Sequence, residues 1–160
     1  MRILGVDPGI ARSGWGVIEV QSSKFKVQSY GCAETSAKLE PSRRLRHIYD
    51  SIVAIIKKYK PDAMAVEELF FNTNAKTAFI VGQARGVILL ASAKHNVSVA
   101  IYTPLQVKIA VTGYGRADKS QIGQMVKAIL KLEKIPKPDD VADALAVAIT
   151  HAFTSKFKEQ

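Results

Sequence analysis

Four acidic side chains stand far apart along the chain in positions where an acid calls for a reason. Asp7 closes the apolar run 2–7, immediately before Pro8-Gly9, and Glu67 ends a second apolar run within 62–68. Asp140 and Asp143 lie three residues apart at the start of an apolar-periodic segment, with Asp139 beside them. An unpaired charge at the end of a buried strand is costly unless a counter-charge meets it. Period-two alternation puts Asp7 on the face of Ile3 and Gly5, and Glu67 on that of Ala63 and Ala65. If the two strands are parallel neighbours, their carboxyl ends meet at the sheet edge where ligand sites gather. Acids at i and i+3 of a helix project from one side, so Asp140 and Asp143 can be aimed over that edge while Val141, Leu145, Ala148 and Ala152 pack on the sheet. Three or four carboxylates meeting without an adjacent Lys or Arg repel unless a cation lies between them, and an all-oxygen set suits Mg²⁺ or Mn²⁺.

Each acid alone has an ordinary structural role. An Asp before Pro-Gly forms turns, acids in a first helical turn favour the helix dipole, and a strand-end Glu is usually solvated. The joint arrangement points to a hard-cation site. Spacing does not choose between Asp140 and Asp139, because Asp139 and Asp143 are helical neighbours too.

The elements that would position these acids follow from periodicity and punctuation. Strands are expected at 2–7, 15–20 and 25–32, with short links that imply an antiparallel meander. Pro41 opens a helix over 41–59, where Leu45, Ile48, Ile52, Ile55 and Tyr59 recur at helical spacing. A fourth strand lies in 62–68 and a loop in 69–74, with Asn74 placed to cap a helix over about 75–94. A fifth strand at 97–103, a short helix at 104–113 and the basic loop 113–119 follow. A helix over about 119–132 begins with Asp118 and Gln121 spaced as a capping box, and a last helix covers 140–155. Strands alternating with helices after an initial meander give an α/β architecture with a five-stranded mixed sheet.

A length of 160 residues suits one domain with a real core. The net charge of +9, from 23 Lys and Arg against 14 Asp and Glu, favours a polyanionic partner such as nucleic acid. The only cysteine, Cys32, excludes an internal disulfide and suits a reducing cytoplasm, where it reads as a small buried residue at a strand end. The first apolar run is too short for a signal peptide, and no later segment reaches the roughly 20 apolar residues of a membrane span. A soluble, cytoplasmic protein is expected.

The blocks GVDPG…GWGV, AVEELFF, GQARG, VK…GYGRADKSQ and DDVADALAVAITH, in that order and over nearly the whole chain, resemble the RuvC-type Holliday junction resolvases. The resemblance implies a ribonuclease H-like fold and a single nuclease domain over 1–160. It also implies a homodimer that binds four-way junction DNA and makes paired symmetric nicks with Mg²⁺. Carried over, the family's acids fall on Asp7, Glu67, Asp140 and Asp143, which settles the choice against Asp139. Its junction-inserting aromatic falls on Phe70, with Phe71 beside it. Basic contacts fall on Lys108 and Lys119, and the stretch between Asn72 and Ala78 suggests Lys76 as a further one. A branch-migration helicase complex of the RuvA and RuvB type is implied as a partner.

The chemistry agrees with that carry-over. Two divalent ions about 3.5–4 Å apart activate a water and stabilise the leaving 3′ oxygen of a phosphodiester, Mn²⁺ serving where Mg²⁺ does. Asp7, central on the sheet, would bridge them. Lys119 could offset charge on the scissile phosphate, although a first-turn lysine is also simply solvated. Phe70, Phe71 and Tyr114 could stack on unpaired bases, whereas Arg116, Lys108 and Lys119 would hold phosphates without choosing a sequence. Around 77–93 the apolar residues occupy more than one helix face, and Gly82 and Gly86 would let a twin helix approach. His47, His95 and His151 read as structural, and Trp15 as packing.

Other classes fit less well. A non-cleaving branched-DNA binder would have no need of all four acids. The first block also resembles the phosphate loop of actin-like ATPases, but no second such loop follows. An RNA-processing nuclease of the same fold would not call for the Phe70 loop.

Overall fold

The computed structural model describes residues 1–68 and 74–158, with side chains to residue 155. The chain opens with β1 (Arg2–Asp7), β2 (Arg12–Gln21) and β3 (Lys24–Glu34), each antiparallel to the one before. The second and third are longer than their apolar cores suggest, because backbone pairing continues to Arg12–Glu34 at one end and Gln21–Lys24 at the other. Helix α1 (Pro41–Tyr59) leads to β4 (Ala63–Glu67), and α2 (Ala75–Lys94) leads to β5 (Ser98–Tyr102). Both new strands pair in parallel, β4 on β1 and β5 on β4, giving the order β3-β2-β1-β4-β5. Three helices complete the chain: α3 (Pro104–Thr112), α4 (Lys119–Ile129) and α5 (Asp139–Lys158).

Alternation along the central strands feeds two cores. Leu4, Val6, Val17, Met64 and Val66 face α1 and α2, where they meet Ile48, Ile52, Ala84 and Ile88. Ile3, Ile18 and Ala65 face the other way, onto Val107, Ile122, Val126, Leu145 and Ile149 of α3, α4 and α5. Each such aliphatic side chain contributes roughly 1.5–3 kcal/mol by leaving water, so the sheet is clamped from both sides. Asp7 and Glu67 belong by parity to the α5 side.

Local signals set most helix ends. Asn74 caps α2 by accepting from the Lys76 N–H at 3.0 Å. The expected box at α4 is present: the Gln121 N–H donates to Asp118 Oδ1, and the Asp118 N–H to Gln121 Oε1, both at 2.8 Å. Thr103 and Gln106 form a second box at α3. Helix α4 stops at Ile129, short of residue 132. Lys131 turns left-handed with φ 53°, and the Leu132 N–H bonds the Lys127 carbonyl at 2.9 Å, which folds Leu130 and Leu132 back onto the core. Among the described residues no helix is long and apolar enough to cross a membrane.

Candidate active site

Parallel pairing brings the two strand-end acids together. Val6 stands opposite Val66 in the β1–β4 register, so Asp7 and Glu67 leave the sheet side by side at its carboxyl edge. On the other side of Asp7 the register places Gly14. A Cβ on Gly14 would overlap the Asp140 carbonyl oxygen, so the first turn of α5 can lie against the sheet beside Asp7 only because residue 14 has no side chain. Gly5 plays the same part further along, under the Ala144 carbonyl. From that seat α5 presents Asp140 and Asp143 to the strand ends. Asp7, Glu67, Asp140 and Asp143 line one cleft of about 500 Å³, together with Lys108 of α3 and Lys119 of α4. Asp139 is exposed, and its Oδ1 accepts from Lys137 Nζ at 2.8 Å.

The cleft holds more negative charge than it can easily carry. Asp7 is pushed up to about 8 by burial and then by the carboxylates of Asp143, Glu67 and Asp140, with Lys119 opposing. Glu67 is pushed up to about 7 by burial and by Asp143, against Lys119 and Lys108. Burial also raises Asp143, although Lys119 pulls the other way, and Asp143 in turn holds the Lys119 ammonium above its usual range. Both helix acids face a cation: Lys119 Nζ lies 3.6 Å from Asp143 Oδ2, and Arg12 Nε lies 3.6 Å from Asp140 Oδ2. As the side chains lie, no three of His, Cys, Asp and Glu among the described residues are grouped closely enough to hold a metal ion. Four carboxylates on one wall, at least two of them raised toward neutrality, are nevertheless a donor set that a hard divalent cation fits.

The family described as Crossover junction endodeoxyribonuclease RuvC matches residues 3–151. The chain belongs to the RuvC family. It is 58% identical to Crossover junction endodeoxyribonuclease RuvC of Alkaliphilus oremlandii, over 99% of this chain and 97% of that one. Among solved structures it is similar to Thermus thermophilus RuvC, with a TM-score of 0.92, 37% identity and coverage of 99% and 97%. It is also similar to T. thermophilus RuvC in complex with Holliday junction substrate, with a TM-score of 0.95, 37% identity and coverage of 99% and 96%. The mixed sheet with its antiparallel first three strands is thus the ribonuclease H-like fold of this family.

The remaining residues singled out by the RuvC resemblance scatter more widely. Lys108 and Lys119 line the acidic cleft. Tyr114 is 54% exposed and borders a separate hollow with Thr112, Gln121 and Met125. Arg116 is exposed on the same loop, and Lys76 is exposed in the first turn of α2. Phe70 and Phe71 lie outside the described residues. His151 Nδ1 is 2.8 Å from Tyr102 Oη, and the two rings meet edge to face. Cys32 is half-buried near the end of β3, its thiol pushed up to about 11 by burial and by Asp140 and Glu34. Trp15 packs beside Tyr59, their rings 6.3 Å apart.

Two site residues, Arg12 and Gly14, are not among those singled out in the sequence. A lone Arg12 in a polar link carries no mark of its pairing with Asp140. Gly14 did carry one, since a glycine across from a strand-end acid marks a close approach.

Proposed function

We propose that this chain is a structure-selective DNA endonuclease that resolves four-way junctions by paired symmetric nicks, with 1–160 acting as one nuclease domain. The observation that carries the proposal is the convergence of Asp7, Glu67, Asp140 and Asp143 on one cleft beside Lys108 and Lys119. Asp7 and Glu67 on the sheet, with Asp140 and Asp143 on α5, would hold divalent cations, Mg²⁺ by preference and two per site. When bound, such ions supply a polarised water and charge compensation at the leaving 3′ oxygen. The chain's own residues do the rest. With ions bound, Asp140 and Asp143 would serve as their ligands, and Arg12 and Lys119, each 3.6 Å from one of these acids, would be available to phosphate. Lys119 then faces the scissile group, and Lys108 holds the strand in register. Lys76, Tyr114 and Arg116 extend the contact to the junction arms, and Phe70, with Phe71, supports unpaired bases at the branch point.

A homodimer suits a substrate with two equivalent strands to cut. On α2, Phe79 (69% exposed) and Leu90 (51%) flank Gly86 along one face, and a Cβ on Gly86 would meet nothing within 4 Å. That face is where a twin helix would pack. Family likeness alone supports action in the cytoplasm alongside a branch-migration helicase complex of the RuvA and RuvB type.

The test is a labelled synthetic four-way junction incubated with Mg²⁺ and either wild type or Asp7→Asn. Wild type should nick two opposed strands at matching positions. Asp7→Asn should retain the junction but cut it about a thousandfold more slowly, as loss of several kcal/mol of transition-state stabilisation requires. Retention without nicks by wild type would favour a non-cleaving binder, and cutting of RNA in preference would favour an RNA-processing nuclease.

A further inference from the structure

A second, smaller hollow adjoins the acids. It measures about 160 Å³ and lies on the α2 side of Asp7 and Glu67, with Glu68, Val81, Arg85 and Pro104 in its walls. It shares Asp7, Glu67 and Pro104 with the larger cleft that contains Lys108 and Lys119. The two halves therefore form one trough across the strand ends, with the acids in the middle.

Arg85 is the cation of the smaller half. Its Nε is buried without a hydrogen-bond partner, and its guanidinium makes no hydrogen bond or ion pair with a described residue. Arg2 also has a buried, unpartnered Nε, but its other nitrogens are engaged by the Tyr59 carbonyl and Glu19. Among the described residues Arg85 has no such compensation, although Glu67 and Glu68 line the same hollow. A half-buried guanidinium with no partner among the described residues is costly unless it meets an anion. Its flat fork of N–H donors matches two oxygens of one phosphate.

We propose that Arg85 grips a backbone phosphate of the cut strand, next to the scissile position and on the side away from Lys108 and Lys119. This rests on the endonuclease assignment above. The strand then lies across Pro104 and the acids, held by Lys108 and Lys119 at one end and by Arg85 at the other. Carboxylates of Asp7, Glu67 and Glu68 share the hollow with Arg85, so divalent cation held by Asp7 and Glu67 would strengthen the grip.

The experiment uses four-way junctions carrying a single methylphosphonate at each phosphate flanking the cut. Binding is measured in Ca²⁺ and nicking in Mg²⁺, for wild type, Arg85→Gln and Arg85→Lys. Wild type should show one sensitive phosphate on the α2 side, where loss of charge weakens binding about tenfold, the size of a charge-assisted contact. Arg85→Gln should bind the native junction about tenfold more weakly and lose sensitivity at that one position. Arg85→Lys should fall between the two and keep the position sensitive. A scan of Arg85→Gln that matches wild type position by position would overturn the assignment, even if its turnover fell. A wild-type scan with no sensitive phosphate on that side would also overturn it, whether or not the variants fold. If wild type nicks no junction at all, the endonuclease assignment fails and takes this inference with it.

Discussion

At Asp7 the cost of folding and the capacity for chemistry have one cause. Its carboxyl is buried among three others and rises to about 8 from an ordinary 3.8, while Glu67 rises to about 7 from 4.5. In that interval the folded chain binds more protons than the unfolded chain, so stability falls as pH rises. As far as these groups are concerned, the metal-free protein should therefore be most stable below about pH 4, and should lose stability progressively from there up to about pH 8. Thermal melts across that range check the sign. Asp7→Asn should flatten the profile and melt higher than wild type at pH 8. A wild-type melting temperature that climbs from pH 5 to pH 8 without metal would show that other groups dominate.

At the scale of the element, α5 is the part whose placement decides the site. It rests on β1 and β2 where Gly5 and Gly14 leave room for its backbone. Gly14→Ala should force the first turn of α5 outward, carrying Asp140 away from Asp7. The expected cost is about 1–3 kcal/mol in urea unfolding, typical of overpacking, together with a larger loss of nicking than that destabilisation explains. Gly86→Ala, which meets nothing, is the control and should leave protomer stability equal or higher.

Most of the elements were legible because their causes are local. Apolar periodicity placed α1 over 41–59 and α2 over 75–94, and the Asn74 cap and the Asp118–Gln121 box are signals within one turn of chain. The strand-end acids were legible because parity and parallel pairing together put Asp7 beside Glu67. What could not be read depends on contacts between distant segments. Asp139 and Asp140 are equivalent by spacing, and what separates them is the seat of α5 on Gly14 and the Lys137 side chain that takes Asp139 outside. The Arg12–Asp140 pair has no sequence signature for the same reason. Helix α4 ends early because tertiary packing of Leu130 and Leu132 overrides a helical pattern that continues to residue 132.

For the whole molecule the open question is what covers α2. Its inner face is buried through Ala84, Ile88 and Ala91, yet Phe79 and Leu90 stand in water on the outer one. Adjacent β5 adds Ile101, 46% exposed, at the sheet edge. If this surface joins two copies, Leu90→Asp or Phe79→Asp should give a folded monomer by sedimentation equilibrium. That monomer should bind junctions more weakly and lose the pairing of its nicks, while each remaining nick keeps its position. A dimer that survives both substitutions would move the twofold contact elsewhere.

Four acids, brought in from three parts of the chain, are proposed to share divalent cation in one cleft. Crystals of the wild-type protein soaked in Mn²⁺ test it most directly, through anomalous scattering at the manganese edge. Manganese is expected at Asp7, with Glu67 on one side and Asp140 and Asp143, released from Arg12 and Lys119, on the other. Manganese bound only elsewhere, with Asp140 still paired to Arg12 at saturating concentration, would contradict it.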